Sequence, residues 1–247
     1  SLGHADRYVR YAARVAIEKQ PVAKWQGKVA GESNPWAIIE AATALARMGE
    51  KTQQSVALAA LNKVDYKSAK DDQFLAGLRA YHLAFARMGE PSAADAKAVI
   101  GTLDSLFPHA SNFVNRELSQ VLLYLKAPKA VSRSVQLMLS ASDTHEKILD
   151  EAVLARNDGY AKAARRTEQY RPNVQQYALA FSLRSIKEGW TDADHAGYFS
   201  WFPRAKTWQG GNSFAIFIEN SRKEALANVT DAAKRAKYDA ASKKTAV

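Results

Sequence analysis

Apolar residues recur along this chain every three or four positions, the spacing that lays one stripe along an α-helix. In "ELSQVLLYL", Leu118, Val121, Leu122 and Leu125 stand at i, i+3, i+4 and i+7. "NVQQYALAFSLRSI" carries two stripes, one of Val174, Tyr177, Ala178 and Phe181, the other of Leu179, Leu183 and Ile186. A helix apolar on two sides is expected between neighbours, inside a stack. No stretch alternates convincingly with period two, so strands are not expected. Breaks fall at Pro21, Asn34–Pro35, Gly49, Asp65, Gly89–Pro91, Pro108, Pro128, Pro172, Gly189 and Gly210–Gly211. Helices of roughly 12–20 residues joined by short turns are expected between them. Gly49, Gly89 and Gly189 each follow a helical run, where a left-handed glycine ends a helix. Ser92 with Asp95, and Thr191 with Asp194, have the spacing of capping boxes. Asp71 and Asp72 suit the positive end of a further helix.

"ALARMGE" at 44–50 returns as "AFARMGE" at 84–90, six letters of seven at an offset of 40 residues. Leu45 or Phe85 and Met48 or Met88 are expected to face the core, with the arginine outward and the glycine closing the helix. Further closures lie near Pro21, Pro128 and Gly189, the last after a longer unit over about 129–189. A period near 40 with two helices per unit is the spacing of HEAT or armadillo repeats. The fold class expected is therefore all-α: a right-handed α-α superhelix of about five to six hairpins. It is expected to form one α-solenoid domain over 1–247, with an aromatic-rich cap at about 190–228 and a basic helix or tail at about 229–247.

"DRYVRYAARVAI" (6–17) resembles the HEAT signature, with Asp6, Val9, Arg10, Ala12, Ala13 and Ile17 at the patterned positions. With "NRELSQVLLYLKAP", "YALAFSLRSIKEGWT" and "YFSWFPRAKTWQGGNSFAIFIENSRKEAL", it resembles the helical-repeat domain of large bacterial proteins that also hold a dehydrogenase-like β-propeller and a c-type cytochrome domain. These stretches cover about a third of the chain. The resemblance implies an exported or periplasmic setting and an excised or processed piece of a longer protein. The family's haem motif needs Cys-x-x-Cys-His, and the chain has no cysteine. Redox chemistry of such a parent would lie outside these residues, and no cofactor is expected on them.

Sparse glycine (12) and proline (7) favour helix over strand. No apolar run approaches the roughly 18–20 residues that span a bilayer, and the opening residues lack a signal-peptide core. Absence of cysteine removes disulfides, thiolate metal sites and a cysteine nucleophile. The net charge of +10 favours anionic partners, among them nucleic acid, acidic glycans or acidic protein surfaces. Spread as it is, the excess is first a solvated surface.

Candidate chemistry is thin. None of His4, His82, His109, His145 and His195 has metal-ligand spacing to another. His82 reads as a structural histidine, and His145 as a surface residue in a first helical turn. Glu117, beside Arg116, is expected in a surface or inter-repeat ion pair. Gly210-Gly211-Asn212-Ser213 precedes a helix and could hold an anion, though Asn212 or Ser213 as a plain N-cap accounts for the same letters. Trp190, Tyr198, Phe199, Trp201, Phe202, Trp208, Phe214 and Phe217 form an aromatic cluster, read first as core sealing the last repeats. The sharper reading is an interaction surface of Trp190, Trp201, Trp208, Arg204, Arg222 and Lys223. Neither a catalytic nor a metal-binding residue is assigned.

The sequence therefore points to a non-catalytic scaffold or interaction module of a larger exported redox protein. Its partners would be neighbouring domains or another protein. The competing reading is a HEAT-like DNA-binding protein or alkylated-base DNA glycosylase. That reading needs tryptophans and an aspartate converging on a basic concave face.

Overall fold

The computed structural model describes residues 1–142 and 151–244; His145 lies outside them. Among the described residues every regular element is helical. By packing, the chain divides into two compact units, Ser1–Ala127 and Pro128–Val247.

The first unit holds α1 (Arg7–Glu18), α2 (Gln26–Val29), α3 (Pro35–Met48), α4 (Gln54–Leu61), α5 (Asp71–Met88), α6 (Ala93–Leu103) and α7 (Asn112–Tyr124). Caps explain the starts: Asp6 accepts from the Tyr8 N–H, Asn34 from Ala37 with Pro35 in the first turn, and Ser92 from Asp95. The odd-numbered helices pack in sequence, α1 on α3, α3 on α5 and α5 on α7. On the other side α2 touches α4 and α4 touches α6, while α3 and α4 pack on each other.

The α3 helix is the centre of this unit, with residues 37–39 and 41–46 all buried. Many of its side chains are alanine, which lets neighbouring helices come close. The C-terminal ends of α3 and α5 lie side by side. The Arg87 guanidinium donates to the Arg47 carbonyl at 3.0 Å, and Ser55 donates to the Asp95 carboxylate at 2.6 Å, each across 40 residues. Gln54 bridges to the Gly89 carbonyl at 2.6 Å. The repeated letters are thus neighbours in space. Leu45, Phe85 and Met88 are buried as expected, whereas Met48 is 47% exposed. Gly89 is left-handed (φ 81), but Gly49 closes α3 in extended backbone (φ −86). Gly49 matters for closeness instead, because an added Cβ would stand 2.7 Å from the Leu45 carbonyl oxygen. At the end of α7 the N–H of Ala127 bonds the Leu122 carbonyl at 2.9 Å and that of Lys126 bonds Leu123 at 3.1 Å. This is a Schellman closure with left-handed Lys126 (φ 54) in glycine's usual place.

The second unit holds α8 (Ala130–Ser140), α9 (Glu151–Leu154), α10 (Asp158–Gln169), α11 (Val174–Leu183), α12 (Asp192–Ala205), α13 (Phe214–Ala227) and α14 (Ala232–Ala241). The α12 helix is central, contacting α8, α13 and α14. Thr191 and Asp194 form the expected capping box. Gly189 is left-handed (φ 83) but lies beyond the end of α11 at Leu183, so it shapes a turn rather than a helix end. On α11, Leu179 and Leu183 are buried, while Val174 and Phe181 are 37% and 39% exposed. Of the two apolar stripes one is buried at Leu179 and Leu183, with Ile186 half-buried beyond the helix end, and the other is left half open to solvent. Ser213 stands at the N-cap of α13 without a side-chain bond, so the cap expected of Asn212 or Ser213 is not made.

Candidate functional site

The six residues singled out as an interaction surface lie in the second unit and part company there. Trp201 is buried at 4% exposure, and its indole N–H donates to the Gln176 side-chain Oε1 at 3.0 Å. Trp208, half-buried, meets Trp201 edge-on at 5.6 Å. Trp190 stands at the other end of the same chain of rings, reached through Phe202 and Tyr198. Its N–H bonds the Ile186 carbonyl at 2.9 Å and its ring lies flat on His195 at 4.6 Å. His195 also faces Tyr238 at 5.2 Å and Phe199 at 6.1 Å, joining α12 to α14. Tyr198, Phe199 and Phe202 are buried. Half of the aromatic cluster is core, as the plainer reading expects, while Trp190, Trp208 and Phe214 are half-buried and Phe217 is exposed.

The cations divide in the same way. Arg204 and Lys223 are exposed. Arg222 is buried at 4% exposure and bonds Glu219 at 2.6 Å, Asp239 at 2.5 Å and the Ser242 hydroxyl at 3.1 Å. It ties α13 to α14. A buried guanidinium with three acceptors is a structural fastener, held there because leaving any partner unpaired is costly.

Electrostatics argue for structure over proton transfer. Burial alone would raise the Asp194 carboxyl, but hydrogen bonds from Ser132 and Thr191 outweigh it and hold the pKa below the ordinary value. Bonds from Arg222, then Lys206, hold Glu219 at about 2. Asp192 is lowered by Lys234 and Asp239 by Lys243 and Arg222. A general acid needs the opposite shift. The His82 Nε2–H donates to the Glu117 backbone oxygen at 3.1 Å and sits 3.3 Å from its carboxylate; burial lowers its pKa against that charge. Glu117 thus reaches another helix, but through a histidine whose lowered pKa leaves the contact a hydrogen bond rather than the ion pair expected. Among the described residues no group of three or more His, Asp or Glu side chains could hold a metal ion.

Sequence reading missed the surfaces that do present aromatic groups to solvent. On α11 and α13, Tyr177 lies 6.0 Å from Phe181 and 5.4 Å from Phe214, with the Arg184 guanidinium 3.4 Å over Phe181. Ile216 and Phe217 beside them are 62% and 52% exposed. On α1, Tyr8 and Tyr11 are 67% and 58% exposed. The signal for the α1 surface was in the letters. Arg10, Arg14 and Glu18 recur every four residues opposite an apolar stripe, and which stripe faces inward is not written in that spacing.

Comparison with protein-family models, curated proteins and solved structures finds no match for the chain. No helix among the described residues is long and apolar enough to cross a membrane.

Proposed function

We propose that this chain is a non-catalytic helical-repeat scaffold, a HEAT-type α-α superhelix that holds neighbouring domains or another protein at fixed spacing. The observation that best supports the reading is the pair of stacked helix ends. Arg87 meets Arg47, and Ser55 meets Asp95, each across 40 residues. A two-helix unit that meets the next at a constant offset is what a solenoid requires. The ionisable groups described above are occupied in joining helices, which also fits a scaffold. The finer reading, that the parent is an exported protein with a cytochrome domain, rests on the sequence stretches quoted earlier.

Two measurements test the two levels. In small-angle scattering, a superhelix gives a radius of gyration distinctly above the ~18 Å of a compact globule of this length; a value near that figure rejects the solenoid. For the parent protein, the full reading frame is decisive. A neighbouring Cys-x-x-Cys-His segment supports the redox assignment, and a frame with no further domain overturns it.

A further inference from the structure

The α1 helix sits with its charged side inward. Toward α3 it turns Arg10 and Arg14, which reach Glu40 at 3.6 Å and 3.2 Å, and Glu18, which meets Arg47 at 2.9 Å. Arg10 is the one buried residue of the helix, its guanidinium 3.6 Å over the Trp36 ring and bonded to the His4 and Ala5 carbonyls. The opposite side carries Tyr8, Val9, Tyr11, Ala12 and Ala16, all exposed. An amphipathic helix normally buries its apolar stripe; here that stripe faces solvent along the full length of α1.

Charge says what kind of surface would cover it. Residues 1–28 hold six Lys and Arg against Asp6 and Glu18, whereas residues 29–127 balance ten against ten. The whole excess of the first unit therefore falls within residues 1–28, the segment that contains this helix, with Arg7 at its first position and Lys19 just past its last. Arg7, Lys19, Lys24 and Lys28 are exposed, with no ion pair to a described carboxylate. We infer that the outer face of α1 seats an acidic amphipathic helix of a partner polypeptide, an inference that rests on the scaffold reading and names what the scaffold holds. Ala12 and Ala16, one turn apart between larger side chains, leave a trough suited to a helix ridge. Tyrosine is an interface residue of choice. A second copy fits poorly, because antiparallel α1 helices would bring Arg7 against Lys19. A bilayer fits less well too, since no Leu, Ile, Phe or Trp stands on this face to enter it.

The test uses the full chain and a labelled synthetic helix of about three heptads, with a Leu/Ala stripe flanked by glutamates. A twin peptide carries lysine flanks. Fluorescence anisotropy should show saturable micromolar binding of the acidic peptide, about tenfold or more tighter than the twin, and weakening with salt. Tyr8→Ser with Tyr11→Ser should abolish it while circular dichroism and the melting curve stay unchanged, since both side chains are exposed. Lys19→Glu with Lys24→Glu and Lys28→Glu should exchange the preference of the two peptides. Phe217→Ser, on the other unit, should change nothing. Failure of the acidic peptide to bind, equal binding of both peptides, or co-sedimentation with phosphatidylglycerol vesicles in place of peptide binding overturns the inference. None of these outcomes depends on the reading frame or the radius of gyration, so the scaffold reading stands or falls separately.

Discussion

Where α3 meets α4 and α5 the helices are held at close range by small side chains, and around α12 by large ones. Ala37, Ala41, Ala42, Ala44, Ala57, Ala60, Ala80 and Ala84 are all at 5% exposure or less in the first unit. In the second, Tyr198, Phe199, Trp201 and Phe202 fill the space around α12. An alanine-lined contact has little room for added atoms. An aromatic core has a great deal to lose when atoms are removed. The two units should therefore fail in opposite ways.

The largest expected effect is Phe199→Ala, which leaves a ring-sized cavity among Tyr198, Phe202 and Tyr238 and should cost about 3–5 kcal/mol in urea unfolding at constant m-value. Arg222→Ala comes next, at about 2–3 kcal/mol. It strands Glu219 and Asp239, which stay partly hydrated, so the loss falls short of the ~3–5 kcal/mol of a fully buried pair. If Arg222 instead served only a partner, the variant would unfold like the parent. In the first unit the informative change adds atoms. Ala44→Val, at 0% exposure in α3, should cost about 1–3 kcal/mol by overpacking. A neutral result there would erase the contrast between the units. At the end of α7, Lys126→Gly should add about 1 kcal/mol, because the left-handed backbone no longer carries a Cβ.

The smallest effect is the pH dependence, and each unit contributes one histidine. Burial lowers the pKa of both His82 and His195 from the ordinary 6.5. The unfolded chain then takes up protons first, so stability is complete above about pH 6.5 and declines as pH falls through the lowered folded values. His195→Gln should flatten that decline for the second unit and His82→Gln for the first, read as urea midpoints across the range. Glu219, held at about 2 rather than 4.5, adds a contribution present above its unfolded value and lost only in strong acid.

Helix type, most breaks and the 40-residue offset were legible because they depend on local spacing and backbone chemistry. Thr191–Asp194 forms the capping box its letters say, and Ser92 caps α6 through the Asp95 N–H without the return bond that would complete a box. Where a stripe points was not legible. Periodicity marked Val174, Tyr177 and Phe181 as apolar and gave no sign that they stay half open. In α1 the same spacing leaves open which side α3 would take. Met48 differs from Met88 for the same reason: the letters repeat and the neighbours do not. Arg222 looked like a surface cation because its partners include Asp239, seventeen residues away on another helix. Pro128 announced a break where the two units divide, but the left-handed Lys126 that closes α7 gave no such sign.

The side-chain bonds that join α1, α3, α4, α5 and α7 span 26 to 40 residues, from Arg14–Glu40 to Arg87–Arg47. In the second unit Ser132 must find Asp194, 62 residues on. During synthesis the first unit can therefore assemble behind the ribosome one helix at a time, each arrival meeting a partner already in place. The α8 helix, by contrast, meets α11 first and is not closed until α12 has been made, and until then the side it turns to α12 is where a chaperone would find its hold.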